Sequence, residues 1–244
     1  MLHFANAHIG HTHLLCQIPE LELAQQGLYS LVGANGTGKT SLFHSILNEV
    51  PLLQGTVRLE GRSIHEMDRQ ERARTLAFVP SRFNGVQHLK GWDYVAMGRA
   101  PHTNFLGQLN PEDRQRVDQV FDQLTISYLK DQDTSQMSDG ERQILSIAQA
   151  IVQEAPLILL DEPTAYLDYP NRIRVLETLA QMAQKENRCI IQSTHDLELA
   201  LCYSEHFLVL RNKQLKLLSN QPIPLQRETL LQEAFGTDFS SPKH

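Results

Sequence analysis

A glycine-rich segment that ends in a lysine and a threonine is the part of the chain best suited to chemistry. It matches the spacing G-x-x-x-x-G-K-[ST] with Gly33, Ala34, Asn35, Gly36, Thr37, Gly38, Lys39 and Thr40. Glycines let a backbone bend so that successive N–H groups point inward, where they hold phosphate oxygens. Lys39 can reach the β and γ phosphates and the Thr40 hydroxyl can ligate Mg²⁺, so the segment predicts a nucleotide site.

Two adjacent acids form a second group that could do chemistry. Asp161 and Glu162 follow the apolar run at 157–160, which is typical of a central strand in a parallel sheet. Ligands of such sheets bind beyond the carboxyl ends of the strands. We expect Asp161 to hold Mg²⁺ directly or through water, and Glu162 to polarise an attacking water as a general base. Taken alone, the two acids could equally well end the strand in solvent.

A histidine follows another predicted strand. The run at 188–194 delivers His195 at its carboxyl end, where the imidazole could contact a γ-phosphate and Glu162. A lone histidine is more often an ordinary surface or core residue. The shared edge of the sheet favours the functional interpretation.

Local patterns predict the elements that must position these groups. The run at 28–32 predicts a strand before the phosphate loop, and 41–47 predicts a helix after it. Pro111, followed by acids, predicts a helix start. Ser138 with Glu141 three residues later predicts a capping box at the start of another helix. Together the patterns predict an α/β fold with a parallel sheet.

The composition limits the class of protein. A chain of 244 residues, of which 41% are hydrophobic, fits one large domain or a domain with an inserted lobe. The net charge of −6 and the lack of a long basic run do not favour nucleic acid as a partner. No apolar run approaches the roughly 20 residues that span a bilayer. The cysteines, Cys16, Cys189 and Cys202, are widely spaced and odd in number, which favours reduced thiols in the cytoplasm.

Five motifs in order resemble those of the ATP-binding-cassette (ABC) ATPases. After the phosphate loop come Ser138-Asp139-Gly140-Glu141, similar to that family's L-S-G-G-Q signature, then Asp161-Glu162-Pro163-Thr164, a D-loop-like segment at 165–168, and Ser-Thr-His-Asp at 193–196. The resemblance covers nearly the whole chain. It implies a P-loop NTPase core with a parallel sheet and an N-terminal antiparallel β subdomain, at 1–80 and 156–244. An inserted helical lobe would occupy 81–155.

The resemblance also implies a role for each motif. MgATP would be held by the phosphate loop together with Ser41, and the catalytic groups would be Lys39, Glu162 and His195. The signature would bind the γ-phosphate of an ATP held by a second copy of the chain, through Ser138, Gly140 and Glu141. Asp168 would act across the same interface. Two copies would thus stack head to tail around two ATP molecules and their Mg²⁺ ions.

Two positions depart from the family pattern. Ser81 stands where the family has a glutamine that senses Mg²⁺ and the attacking water. Serine is shorter by about two bond lengths, though it can act through a water, so we expect slower hydrolysis or looser coupling. His11 stands where an aromatic residue stacks on adenine, and its smaller ring predicts modest ATP affinity. With His8 and His13 it is expected to form a solvated loop rather than a metal cluster.

One segment is similar to a particular subfamily. Residues 95–101, which include Gly98-Arg99, match the V-x-x-G-R-x-P of ATPases that serve iron-siderophore, haem and cobalamin importers, and the tail at 234–239 resembles the same group. An ordinary helix end and turn is the alternative. The resemblance implies membrane permease subunits whose short cytoplasmic helix docks on the lobe, a substrate-binding protein reached through the permease, and a peripheral location on the cytoplasmic side of the inner membrane. The competing class is a soluble ABC ATPase that transports nothing.

Overall fold

The computed structural model describes residues 2–10, 12–23, 26–83, 86, 88–103, 107–219 and 227–236. The strands are β1 (Leu2–Gly10), β2 (Leu14–Leu23), β3 (Gly27–Val32), β4 (Gln54–Leu59), β5 (Arg62–Ser63), β6 (Leu76–Val79), β7 (Leu157–Leu160), β8 (Cys189–Ser193), β9 (His206–Arg211) and β10 (Gln214–Ser219). The α-helices are α1 (Lys39–Ile46), α2 (Arg69–Thr75), α3 (Gly91–Ala96), α4 (Pro111–Gln123), α5 (Asp139–Val152), α6 (Tyr169–Lys185), α7 (Leu197–Tyr203) and α8 (Arg227–Phe235). The chain divides into two compact units: the first comprises Met1–Met67 and Ile191–His244, and the second comprises Asp68–Ile190.

The first unit begins with antiparallel strands. β1 pairs with both β2 and β4, and Leu2 lies opposite Leu23 on one side and Leu59 on the other. All three leucines are fully buried, because one face of each strand packs into a core while the other faces outward. This is the antiparallel β subdomain that the resemblance implies.

The strand order continues through the first unit as β5-β4-β1-β2-β10-β9-β3-β8. β9 and β10 form a hairpin whose turn residues, Asn212 and Lys213, have φ angles of 49° and 60°, as a type I′ turn requires. β3 runs parallel to β9. Beside β3, the N–H of Thr194 donates to the carbonyl of Leu31, so the ends of β3 and β8 lie side by side. The buried residues of β3 and β9 form the centre of this unit.

The second unit combines a short parallel pair of strands with the helices α2 to α6. β6 and β7 are parallel, with Val79 opposite Leu160, and all four residues of β7 are buried. α5 turns its apolar side chains inward, among them Leu145, Ile147 and Ile151. A 3-10 helix, Met97–His102, follows α3 directly. The predicted helical lobe at 81–155 lies within this unit, and its boundaries remain a prediction.

The remaining expectations concern the cysteines, the membrane, His11 and the tail of the chain. The three cysteines are free thiols, and burial raises the pKa of Cys16 and of Cys189 to about 12 in each case. Among the described residues, no helix has both the length and the apolar character needed to cross a bilayer. His11 and the tail positions 237–239 lie outside the described residues.

Candidate functional site

The phosphate loop connects β3 to α1, within the first unit. This confirms the predicted strand and helix around it, with the helix beginning at Lys39. Gly33 lies against β9, where a Cβ would come within 2.4 Å of the Leu210 carbonyl oxygen. Gly38, immediately before α1, has a φ of 107°, in the region that favours glycine. Larger residues at these two positions would displace the loop from the sheet.

Lys39 folds back over the loop. Its side chain is 7% exposed, and its ammonium donates to the carbonyls of Gly33 at 2.8 Å and Ala34 at 3.2 Å. The Thr37 hydroxyl donates to the same Ala34 carbonyl at 2.9 Å. The cation therefore sits at the N-terminal end of α1, where the helix dipole adds about half a positive charge. Of the other predicted loop residues, the exposed ones are Asn35, Gly36 and Thr40, and the half-buried one is Ser41.

His195 leaves the same sheet edge as the phosphate loop. It directly follows Thr194, whose N–H donates to Leu31 of β3 at 3.2 Å, and β3 leads into the loop at Gly33. The His195 side chain is exposed. The next residue, Asp196, accepts from the N–H of Leu199 at 3.1 Å and so begins α7. Within the first unit, the structure thus brings His195 and the phosphate loop to one edge, as predicted.

Asp161 and Glu162 end β7 in the second unit. Asp161 is 5% exposed, and its N–H donates to the Val79 carbonyl of β6 at 2.8 Å. Glu162 is half-buried and has a φ of 49°. Such a conformation costs a residue other than glycine about 1–3 kcal/mol. Asp161 is therefore buried with its backbone bonded to β6, and Glu162 beside it has a strained backbone.

Ser81 lies at the same strand ends as Asp161. It follows β6 by two residues, and the carbonyl of Pro80 before it accepts from the amide of Gln143 at 3.4 Å. Gln143 is 1% exposed and belongs to α5, so α5 is fastened to the segment that carries Ser81. The described residues contain no group of three or more His, Cys, Asp or Glu side chains placed to hold a metal.

The signature segment begins α5 as the predicted capping box. The N–H and the hydroxyl of Ser138 both donate to the Glu141 carboxylate at 2.9 Å. In return the Glu141 N–H donates to the Ser138 hydroxyl oxygen at 3.2 Å. Asp139 is exposed at the first position of the helix and pairs with Arg142 at 3.1 Å. The helix start thus carries two carboxylates and a serine.

The D-loop-like segment packs on this helix start. A Cβ at Gly140 would lie 2.8 Å from the Tyr166 carbonyl oxygen. Asp168, two residues after Tyr166, caps α6 by accepting from the Asn171 N–H at 3.1 Å. The Asp168 side chain is exposed. In the second unit, the structure therefore brings the signature and the D-loop-like segment together.

The second unit also carries a pocket that the sequence patterns did not locate. This lobe pocket has a volume of about 730 Å³ and is lined by Trp92, Asp93, Ala96, Met97, Ala100, Thr103, Gly107, Gln108, Leu109 and Arg114. The Arg114 guanidinium lies 5.6 Å from the centre of the Trp92 ring, a cation–π distance. Met97 is 47% exposed. The pocket is thus largely apolar with charges at its rim, and Gly98-Arg99 was the only sequence signal near it.

Comparison with known proteins places these features in one family. The family described as ABC transporter matches residues 16–165. A probable siderophore transport system ATP-binding protein of Bacillus subtilis is 35% identical over 75% of this chain and 67% of its own length. An inward-facing structure of a putative metal-chelate type ABC transporter is 28% identical, with a TM-score of 0.76 over 95% of this chain and 88% of its own.

A third likeness concerns the fold alone. A dimeric post-hydrolysis structure of an ATP-binding cassette with ADP and phosphate bound is 20% identical, with a TM-score of 0.78 over 90% of this chain and 98% of its own. The fold is therefore that of the ABC ATPases, as the motifs implied. Since the family match covers more than half of the chain and carries the phosphate loop, Asp161 and Glu162, this protein belongs to the ABC transporter family, as one of its ATP-binding ATPases.

Proposed function

We propose that this chain is the ATP-hydrolysing subunit of an ABC importer that takes up a metal chelate. The observation that carries the proposal is the phosphate loop, with Lys39 held over it, in a chain of this family. The names of the siderophore and metal-chelate relatives support the cargo class. An iron-siderophore complex is the first candidate, and haem or cobalamin the next.

The phosphate loop would bind the β and γ phosphates. Lys39 would exchange the carbonyls of Gly33 and Ala34 for phosphate oxygens, and the loop N–H groups would complete the cradle. Thr40 is exposed next to Lys39, and its hydroxyl would serve as a ligand of Mg²⁺. His11 would stack on the adenine.

The metal would be held by few protein oxygens. Mg²⁺ prefers hard oxygen ligands and usually takes one or two from the protein, with phosphates and waters completing its shell. The Thr40 hydroxyl, the Asp161 carboxylate and the Ser81 hydroxyl are ligands of this kind. When bound, the ion would neutralise charge on the phosphates.

Glu162 would act as the general base and His195 would help to orient the water and the γ-phosphate. The position of Glu162 supports this role, because it directly follows Asp161 beyond the carboxyl end of a buried strand. The exposed position of His195 at the loop's sheet edge supports its reach to the phosphate.

A second copy of the chain would complete each site. Its Ser138, Gly140 and Glu141 would contribute the N-terminal end of α5, a fourteen-residue helix, to the γ-phosphate. Its Asp168 would act across the same interface. Related cassettes that were solved as dimers support this arrangement.

The lobe pocket would receive a short cytoplasmic helix of the permease. An apolar floor with an exposed acid, Asp93, and an exposed cation, Arg114, at its rim suits an amphipathic helix that carries charges of both signs. The Arg114 side chain is exposed and rests on Trp92, so an acid could pair with it without moving the pocket wall. A substrate-binding protein would act through the permease. The chain itself would lie peripherally on the cytoplasmic side of the membrane.

Substitution of Glu162, the proposed general base, tests the proposed ATP hydrolysis. Glu162→Gln should lower ATP turnover at least about 100-fold, the usual weight of a general base. It should also accumulate an ATP-bound dimer, seen by analytical ultracentrifugation. Glu66→Gln, an exposed acid elsewhere, should leave turnover unchanged. Near-normal turnover in Glu162→Gln would remove Glu162 from this role.

A pull-down from detergent-solubilised membranes tests the proposed assembly with a membrane permease. The tagged chain should recover a many-helix permease, and Met97→Glu should lose it, because a buried charge would enter the pocket. Leu53→Glu is the matched control, since Leu53 and Met97 are each 47% exposed. Recovery of soluble proteins alone, with or without MgATP, would favour the non-transport ABC ATPase instead.

A further inference from the structure

The 3-10 helix Met97–His102 forms a wall between the lobe pocket and α5. Its residues face two sides. Met97 and Ala100 line the pocket, whereas Gly98 and Arg99 are buried. A Cβ at Gly98 would come within 2.3 Å of a backbone carbonyl of α5. The backbone of the pocket wall therefore rests directly on that helix.

Arg99 fastens the wall to three other parts of the unit. Its side chain is 10% exposed. Nε donates to the Asp113 carboxylate of α4 at 2.8 Å. Nη1 donates to the carbonyl of Val152, the last residue of α5, at 2.7 Å, and to the Glu154 carboxylate at 2.6 Å. One planar guanidinium thus joins the pocket wall, α4 and the C-terminal end of α5.

Beyond Arg99, positively and negatively charged side chains continue to alternate. Arg116 lies 3.0 Å from Glu154 and donates to Glu186 at 3.0 Å. Glu186 pairs with Arg188 at 2.6 Å, and Arg188 donates to the Ile151 carbonyl of α5 at 3.2 Å. Each buried charge has an opposite neighbour. The C-terminal end of α5 is therefore held from two sides by charge-assisted hydrogen bonds.

The other end of the same helix carries the signature. α5 has fourteen residues, so its ends are about 21 Å apart. Along its length it is tied to α3, since Gln149 donates to the Tyr94 carbonyl at 3.1 Å and the Tyr94 hydroxyl lies 3.3 Å from that of Ser146. α5 therefore connects the pocket wall near one end with Ser138 at the other.

We propose that Arg99 is a positioning residue that makes the pocket wall and α5 move as one body, so that whatever fills the lobe pocket sets the position of Ser138. The proposal rests on the proposed function for its purpose, because it would link permease docking to the γ-phosphate contact. Lysine cannot replace Arg99 here, since a single ammonium cannot bridge the Asp113 carboxylate, the Val152 carbonyl and Glu154 in the fork geometry.

A covalent label can stand in for the occupant of the pocket. Met97→Cys in a Cys202→Ser background offers one reactive thiol, because Cys16 and Cys189 are buried with a pKa of about 12 and stay protonated. N-benzylmaleimide then places an apolar ring in the pocket of the full chain. The readout is amide hydrogen exchange at 138–142, which needs neither nucleotide nor permease and so is independent of the proposed function.

With Arg99 present, labelling should change the exchange rates at 138–142 by about fivefold, a typical coupling between two sites. With Arg99→Lys the same label should change those rates much less. With Asp113→Asn, which keeps the bonds of Arg99 to Val152 and Glu154, it should change them to an intermediate extent. A label at Leu53→Cys, in the other unit, is the control and should have no effect. An equal response with and without Arg99, or no response to the Met97→Cys label in the parent chain, would overturn the proposal.

Discussion

The carbonyl oxygen of Tyr166 packs against Gly140, so closely that a Cβ at residue 140 would lie 2.8 Å from it. Gly140 belongs to the signature at the start of α5, and Tyr166 belongs to the D-loop-like segment that precedes α6. Each therefore fixes the position of the other. The two segments that we propose to face a second copy of the chain behave as one surface.

Gly140→Ala should reduce ATP turnover at least about tenfold, because the helix start or the D-loop-like segment must shift by several tenths of an ångström. Steady-state ATPase assays at saturating ATP measure this. Gln136→Ala, an exposed side chain two residues before Ser138, should retain full activity. Unchanged turnover in Gly140→Ala would show that this contact does not position the reacting groups.

Ser81→Gln should raise ATP turnover. The longer amide would reach the Mg²⁺ and the attacking water, which the serine hydroxyl can contact only from a greater distance or through a water. Ser81→Ala, as the control, should not exceed the parent rate. No change or a fall in Ser81→Gln would count against the idea that Ser81 slows this enzyme.

Asp139→Asn should strengthen ATP-dependent pairing of two chains. Asp139 is exposed at the first position of α5, where its charge would oppose the γ-phosphate of the partner site. Loss of an exposed charge changes association by up to about fivefold. Sedimentation equilibrium with ATP in the Glu162→Gln background measures the dimer dissociation constant, and a weaker dimer would contradict the expectation.

Acid should destabilise the protein partly through His206. Burial lowers the pKa of His206, against a smaller opposite effect of Glu205. Its ring stacks on Tyr29 with centroids 4.6 Å apart. As the pH falls below about 6.5, the ordinary histidine value, the unfolded chain binds the proton first and the free energy of unfolding falls. Above that pH the ring is neutral in both the folded and the unfolded chain, so His206 does not lower the free energy of unfolding.

His206→Phe keeps the stacked ring and removes the proton. We therefore expect the melting temperature of His206→Phe to fall less than that of the parent chain between pH 7.5 and 5.5, measured by calorimetry. Tyr29→Phe keeps the histidine and should follow the parent. An equal fall in His206→Phe would assign the acid sensitivity to other groups.

Several elements of the fold could be predicted from the sequence because residues close together in the chain determine them. The strand at 28–32 appears where its residue types predict it. The helix at Pro111 and the Ser138–Glu141 capping box likewise depend on neighbours within three residues. The same applies to the phosphate loop, whose spacing already encodes its shape. The joint action of loop, Asp161 and Glu162 on one nucleotide remains a prediction.

The contacts that sequence reasoning missed join distant positions. Arg99 meets Asp113, Val152 and Glu154, which are 14, 53 and 55 residues away. No pattern in one sequence reveals which acid a buried arginine will find. The lobe pocket arises in the same way, since its lining comes from several elements. The sequence signal at Gly98-Arg99 identified a special segment but not its physical role.

The hydrogen bonds of Ser138 have a consequence for selectivity. Both donors of this residue are already engaged by the Glu141 carboxylate, which is tethered to the same helix turn and so competes at an effective concentration in the millimolar range or above. A free anion must outcompete that internal ligand, and simple phosphate or sulfate at lower concentration will fail to do so. An anion delivered on a surface that binds the protein elsewhere competes at a similarly high effective concentration. The serine is thereby insulated from the small anions that surround it.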